Sequence, residues 1–385
     1  MIQRQIQQEL ATRLKTSPAV AILGPRQCGK TTLAKSMGGV YFDLEQNSEQ
    51  LRLDLDWDRL TAGHNLIILD EAQSFPAIFK RLRGAIDADR KRHGRFLLLG
   101  SVSPALMLQV SESLAGRLSL LELTPFLWLE VPPADHERLW LCGGYPDGGV
   151  LTSESYPQWQ RDYLAVLTQR DLPMWGLPAK PQVTERLLRM LAAVHGQTWN
   201  AAQMGQSMGL DSKTVSGYLD FLIGAFLIRR LPPFQTNIKK RLVKSPKVYW
   251  RDTGLLHALL NVTNRDALLS QSWVGASWEG FVIEQILGAL AGRGGRRHCD
   301  AYYFRTADQH ELDLVLDFGG ELWAVEIKLT TAPSSSDLER LDRTADLIKA
   351  GRRFLISHTR ESLGDGKRVS CNLDAFLKST EQLRG

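Results

Sequence analysis

Ala19-Val20-Ala21-Ile22-Leu23 leads into Gly24-Pro25-Arg26-Gln27-Cys28-Gly29-Lys30-Thr31, and Thr32-Leu33-Ala34-Lys35-Ser36-Met37 follows before a stop at Gly38-Gly39. This is a short β-rich run, a glycine-bounded loop and a helix. Successive N–H groups of such a loop cradle phosphates, and the helix N-terminus adds partial positive charge. The two glycines allow turns that a Cβ would obstruct. Lys30 is expected to reach the β- and γ-phosphates, and Thr31 to place its hydroxyl on Mg²⁺. The residues expected against the nucleotide are Gly24, Pro25, Arg26, Gln27, Cys28, Gly29, Lys30, Thr31 and Thr32, with Cys28 read as a small loop filler.

A second half of the site lies downstream, where Leu66-Ile67-Ile68-Leu69 ends in Asp70-Glu71. Asp70 is expected in the Mg²⁺ shell and Glu71 beside the attacking water, because phosphoryl transfer is catalysed mainly by positioning and charge stabilisation. A third run, Arg95 to Gly100, ends in Ser101-Val102-Ser103. A hydroxyl at a strand's carboxyl end faces the crevice where open α/β sheets bind ligands. Ser101 is therefore expected to sense the γ-phosphate or orient water.

The 385 residues suffice for two or three domains, and 43% apolar with 23% charged content is that of a globular protein. No apolar run reaches the length of a membrane span. The first residues lack a signal peptide's apolar stretch; Ile6, Leu10 and Leu14 space instead as one helical face. Cys28, Cys142, Cys299 and Cys371 form no CxxC pair, so a reducing, cytoplasmic location without structural zinc is expected. A net charge of +5 hints only mildly at a polyanionic partner.

Up to about residue 130 strands alternate with helices, with Val40–Leu44 and Leu118–Leu123 as further strands, which implies a mainly parallel sheet. A helix expected from about Pro76 to His93 buries Ile78, Leu82 and Ile86 and turns Lys80, Arg81, Arg83, Arg90, Lys91 and Arg92 outward. Pro132-Pro133 and Gly143-Gly144-Tyr145-Pro146 interrupt the pattern, and helical periodicity runs from about Trp159 to Val194. A helix-turn-helix follows: Ala201 to Met208, a turn at Gly209, and a second helix capped by Asp211 or Ser212. That helix buries Val215, Leu219 and Leu222 and is expected to present Lys213, Thr214, Ser216 and Tyr218. Strand-like Phe226–Leu231 and Lys247–Trp250 bracket Lys239-Lys240-Arg241 and Lys244, the layout of a winged helix with a basic wing. Such modules bind either DNA, with the second helix in the major groove, or proteins.

Beyond about residue 265, a helix Trp278–Leu287 precedes Tyr302–Arg305, Glu311–Leu316 and Leu322–Lys328. Glu326 and Lys328 are two apart on one strand and share a face, and Asp313 lies on the preceding, antiparallel strand. Two carboxylates beside an ammonium make an oxygen-rich Mg²⁺ site. The order resembles the PD-(D/E)xK nuclease core, mapping onto Asp313, Glu326 and Lys328, with Glu279 as the acid of the first helix. The proline expected near Asp313 is absent, since His310-Glu311-Leu312 precede it. A plain ion pair between Glu326 and Lys328 is the alternative.

The ordered motifs GPRQCGKT, LIILDEAQ, RFLLLGSVSP, ESLAGR, GGYP, QRDLP, RLVKSPKVYWRDTGLL, SWEGFVIE, ELDLVL and VEIK resemble a prokaryotic family of AAA-like ATPases with a C-terminal DUF4143 region. The resemblance implies an α/β P-loop NTPase domain with a parallel sheet, a helical and winged-helix region, and a small α/β restriction-endonuclease-like domain. The expected boundaries are 1–130, 131–199, 200–262 and 263–385. It also implies ATP with Mg²⁺ held by Gly24, Gly29, Lys30, Thr31, Asp70 and Glu71. Arg117, which ends ESLAGR, is either a finger on a neighbouring subunit, a lid over its own γ-phosphate, or structural. The partners left open are DNA, further copies of the chain and a protein, with no membrane. Three roles follow: an ATPase acting on or cutting DNA, a nucleotide-controlled binding switch, or an adaptor in a toxin–antitoxin or defence system.

Overall fold

The computed structural model describes residues 2–101, 114–236, 242–293 and 298–380. Strands β1 (Ala19–Gly24), β2 (Val40–Asp43), β3 (Ile67–Asp70), β4 (Phe96–Ser101) and β5 (Leu118–Glu122) form one sheet in the order β2-β3-β4-β1-β5. All four pairings are parallel. Parallel strands are covered on both faces, which is why they read as unbroken apolar runs. On one face Ile22, Leu97 and Leu99 pack with Leu33 of α2 (Lys30–Ser36) and with Ile6 and Leu10 of α1 (Ile6–Thr16). On the other, Ala21, Leu69 and Leu98 meet Leu53 of α3 (Asn47–Ala62) and Ile78, Leu82 and Ile86 of α4 (Ala77–Ala88). The last of these helices is shorter than its periodicity predicts, because the backbone leaves the helical region at Asp89. Two of the basic residues expected on its outer face are tied down, Arg81 over the Trp57 ring and Arg92, beyond the helix end, to the Thr61 carbonyl.

A helical region follows, with α5 (His136–Cys142), α6 (Gln158–Val166), α7 (Pro181–Ala193), α8 (Ala201–Met208) and α9 (Ser212–Gly224). The Asp211 side chain caps α9 by accepting from the Thr214 N–H at 2.8 Å. One expectation needs correction. Tyr218 does not face outward: it is buried beside Val215, Leu219 and Leu222, and its hydroxyl donates to the Pro178 carbonyl at 3.1 Å. The segment leading into α7 covers that side of α9, leaving Ser212, Lys213, Gly217 and Asp220 as its exposed residues. An antiparallel hairpin, β6 (Ile228–Leu231) with β7 (Lys247–Trp250), comes next and is followed by α10 (Thr253–Leu259). Lys239, Lys240 and Arg241 of the expected wing lie outside the described residues.

The C-terminal part opens with α11 (Arg265–Leu269) and the long, mostly buried α12 (Val274–Gly292). Its sheet contains β8 (Asp300–Arg305), β9 (Glu311–Asp317), β10 (Leu322–Ile327), β11 (Arg352–Ile356), β12 (Leu363–Gly364) and β13 (Arg368–Cys371), ordered β12-β13-β11-β10-β9-β8. The β8-β9-β10 part is antiparallel, whereas β10-β11-β13 is parallel. Two helices, α13 (Ser335–Leu347) and α14 (Leu373–Ser379), complete it. Among the described residues no helix is long and apolar enough to cross a membrane.

Arg251 and Asp252 knit the parts together. Arg251 pairs with Glu122 at the end of β5 and donates to Glu284 of α12 at 3.1 Å, while Arg229 reaches the same Glu284 at 3.0 Å. Asp252 accepts from the N–H of Leu255, capping α10 at 3.0 Å, and from the N–H of Gly144 at 2.8 Å. A Cβ on Gly254 would lie 1.9 Å from the Cys142 carbonyl oxygen, so the GGYP and RDTGLL segments touch through bare backbone.

Candidate nucleotide site and carboxylate cluster

The loop between β1 and α2 turns at two glycines with positive φ, +155° at Gly24 and +98° at Gly29. At Gly24 a Cβ would stand 2.1 Å from the Leu123 carbonyl oxygen, so packing against the segment after β5 demands glycine there. Cys28 is fully buried and its thiol contacts that same carbonyl, with burial pushing its pKa up, as suits a loop filler. Lys30 is buried, and its ammonium donates to the loop carbonyls of Gly24 at 3.0 Å and Pro25 at 2.8 Å. The Thr31 hydroxyl donates to Asp70 Oδ2 at 2.7 Å, and the Tyr41 hydroxyl donates to the same oxygen at 2.8 Å. Thus the first turn of α2 and the end of β3 bring a hydroxyl and a carboxylate together at the helix N-terminus. Hydroxyl and carboxylate oxygens are the donor set that suits Mg²⁺.

Glu71 follows with φ 47° and ψ 48°, a left-handed conformation that costs a residue with a side chain about 1–2 kcal/mol. Its carboxylate accepts from the Gln73 amide, and it lines a cleft of about 730 Å³ with Arg26, Lys30 and Thr31. Ser101 ends β4 opposite Gly24, but its side chain lies outside the described residues. Arg117 does not line this cleft. Its guanidinium makes two hydrogen bonds to Asp87 of α4, at 2.8 and 2.9 Å.

The far wall of the cleft is formed by residues not assigned to the site from sequence. Trp159, Tyr163, Arg170 and Asp171 come from the helical region, together with Pro146 of the GGYP turn. Arg26 of the loop donates to Asp171 at 2.6 Å and lies 3.5 Å from Glu45. Burial disfavours the Arg26 charge, yet Asp171, with Glu71 and Glu45, outweighs that and raises its pKa. The trace of this wall in the sequence was the QRDLP and GGYP strings, two of the ordered motifs that carry the family resemblance.

The C-terminal acids also converge. Asp313 of β9 and Glu326 of β10 are both buried, and Glu326 meets the Lys328 ammonium at 2.7 Å. Asp313 accepts from the Ile327 N–H at 2.8 Å. Burial raises the pKa of each, aided by Glu326 and Glu279 for Asp313 and opposed by Lys328 for Glu326. Glu279 of α12 does not face an open position. It accepts from the Tyr249 hydroxyl and holds the ammonium of Lys247 at 3.0 Å, and Lys247 also pairs with Glu311 at 2.8 Å. Among the described residues no three metal-ligating side chains are placed to hold one ion. Lys247 and Glu311 were read from sequence only as parts of strands.

Comparison with known proteins agrees with this layout. The family described as "AAA domain" matches residues 16–131, "Domain of unknown function (DUF8612)" matches 134–266, and "Domain of unknown function (DUF4143)" matches 274–375. "Uncharacterized protein Rv2008c" of Mycobacterium tuberculosis and "Uncharacterized protein Mb2031c" of Mycobacterium bovis are each 39% identical over 363 residues, covering 91% of this chain and 80% of theirs. Among solved structures, the Signal Transduction ATPase with Numerous Domains protein PH0952 of Pyrococcus horikoshii aligns over 76% of this chain and 47% of its own, at 14% identity and TM-score 0.29. The chain belongs to the family of these two mycobacterial proteins, with an N-terminal AAA domain of P-loop type and a C-terminal DUF4143 region.

Proposed function

We propose that this protein hydrolyses ATP and uses the cycle to act on DNA. The observation that carries the first part is the 2.7 Å contact of Thr31 with Asp70 at the mouth of a glycine-turned loop, with Glu71 next in the chain in a strained conformation facing the cleft. Thr31 and Asp70 would hold Mg²⁺, which when bound neutralises phosphate charge. Lys30 would exchange the carbonyls of Gly24 and Pro25 for the β- and γ-phosphates. Glu71 would orient the attacking water, with Ser101 beside the γ-phosphate. Turnover by wild type, Lys30→Ala and Glu71→Gln tests this: Lys30→Ala should lose nucleotide binding and Glu71→Gln should retain ATP unhydrolysed. Equal turnover in all three would overturn it.

DNA contact rests on the helix-turn-helix, whose second helix exposes Lys213, and on the exposed Lys244 in the connection between β6 and β7. ATP turnover should rise with duplex DNA, and binding should weaken with salt as phosphate contacts release counterions. A second reading, a nucleotide-controlled docking switch without nuclease action, is favoured by the Arg26–Asp171 pair, which links the phosphate loop to the helical region. Slow turnover indifferent to DNA, with ATP changing oligomeric state or partner affinity, would select it.

A further inference from the structure

Lys247 is the most deeply buried ammonium in the carboxylate cluster, with its side chain 5% exposed and both its ion-pair partners, Glu279 and Glu311, on the C-terminal part. It arrives there because the hairpin of the preceding region is laid along the edge strand β8. Phe234 N–H donates to the Tyr303 carbonyl at 2.7 Å, Tyr303 N–H to the Pro232 carbonyl at 3.0 Å, and Val243 N–H to the Arg305 carbonyl at 3.0 Å. The sheet edge is thus covered by the chain itself. The Tyr303 ring lies 5.5 Å below the ammonium, and Tyr249, two residues along the same strand as Lys247, donates its hydroxyl to Glu279.

We infer that Lys247 is a built-in cation that takes the place of a divalent metal in the nuclease-like core, so that the acid cluster serves to lock the hairpin onto the C-terminal sheet. Of the acids expected to share an ion, Glu279 is held by Lys247 and Tyr249, Glu326 by Lys328, and Asp313 by a main-chain N–H. The Lys247 ammonium takes one expected ligand, Glu279, directly and adds its positive charge to the field at Asp313, so part of the charge a divalent ion would supply is already in place. This inference is independent of the nucleotide site.

The test is Mn²⁺ titration of the full chain without nucleotide, followed by loss of the free-ion electron paramagnetic resonance signal. Wild type should leave the signal unchanged. Lys247→Met, which keeps an apolar stem and removes the charge, should gain one Mn²⁺ site, and Asp313→Asn in that background should abolish it. If wild type itself takes up Mn²⁺ and Asp313→Asn or Glu326→Gln removes that uptake, the inference is overturned, whether or not Lys247→Met folds. A natively folded Lys247→Met with no gained site would overturn it equally.

Discussion

Asp171→Asn should loosen the cover of the nucleotide cleft. The Asp171 side chain is 4% exposed and that of Arg26 20%, and their contact is 2.6 Å. Hydrogen bonds to charged groups contribute about 1.5–3 kcal/mol net. The full penalty of about 3–5 kcal/mol for breaking a buried pair does not apply, because Arg26 is partly solvated and asparagine can still accept with one oxygen. Removing about 1.5–3 kcal/mol from the closed arrangement corresponds to roughly 10- to 150-fold in its equilibrium constant. Stopped-flow chase of a fluorescent ATP analogue should therefore show release at least about tenfold faster than in wild type, scaled from that estimate. Asp162→Asn is the control: Asp162 lines the same cleft but is exposed and, among the described residues, bonds only to Gln158, so release should not change. Release unaltered in a folded Asp171→Asn would refute the view that this pair holds the cover down.

Gly24→Ala should abolish ATP binding by calorimetry, because the added methyl would meet the Leu123 carbonyl at 2.1 Å and displace the loop; wild-type affinity would contradict this. Glu284→Gln removes the charge that Arg229 and Arg251 share, leaving guanidiniums with side chains 24% and 10% exposed. Arg229 is partly solvated, Arg251 keeps Glu122 and glutamine still accepts with one oxygen, so a cost of about 1.5–3 kcal/mol is expected, read as a lower urea midpoint. Acidification has a sign that can be worked out for His195, whose burial lowers its pKa to about 3 from an unfolded value of 6.5. The unfolded chain binds that proton first, so the contribution is complete above pH 6.5 and is lost as pH falls toward about 3. His195→Gln should flatten the pH dependence of stability in that window, and an unchanged slope would exclude the assignment.

Features carried by neighbouring residues were legible before any coordinates. The Gly24–Thr31 loop, the strand ending in Asp70-Glu71, a cap at Asp211 or Ser212 and the antiparallel β9–β10 pair all follow from periodicity and turn chemistry over short spans. Tyr218 was misplaced because its spacing on α9 says nothing about the segment at Pro178 that covers it. Asp171 was not recognisable as a partner of the loop, since 145 residues separate it from Arg26. Lys247 looked like one more strand residue.

By itself the amino-acid order determined that a phosphate-binding loop sits between a buried strand and a helix, and that Glu326 and Lys328 stand two residues apart next to the strand that carries Asp313, because such patterns are set by backbone geometry within a few residues. Only the tertiary structure decided that Asp171 pairs with Arg26 of the loop, and that Lys247 pairs with Glu279 and Glu311 in the acid cluster. Those outcomes depend on how distant surfaces pack, and a buried charge is satisfied by whichever opposite charge the fold carries to it.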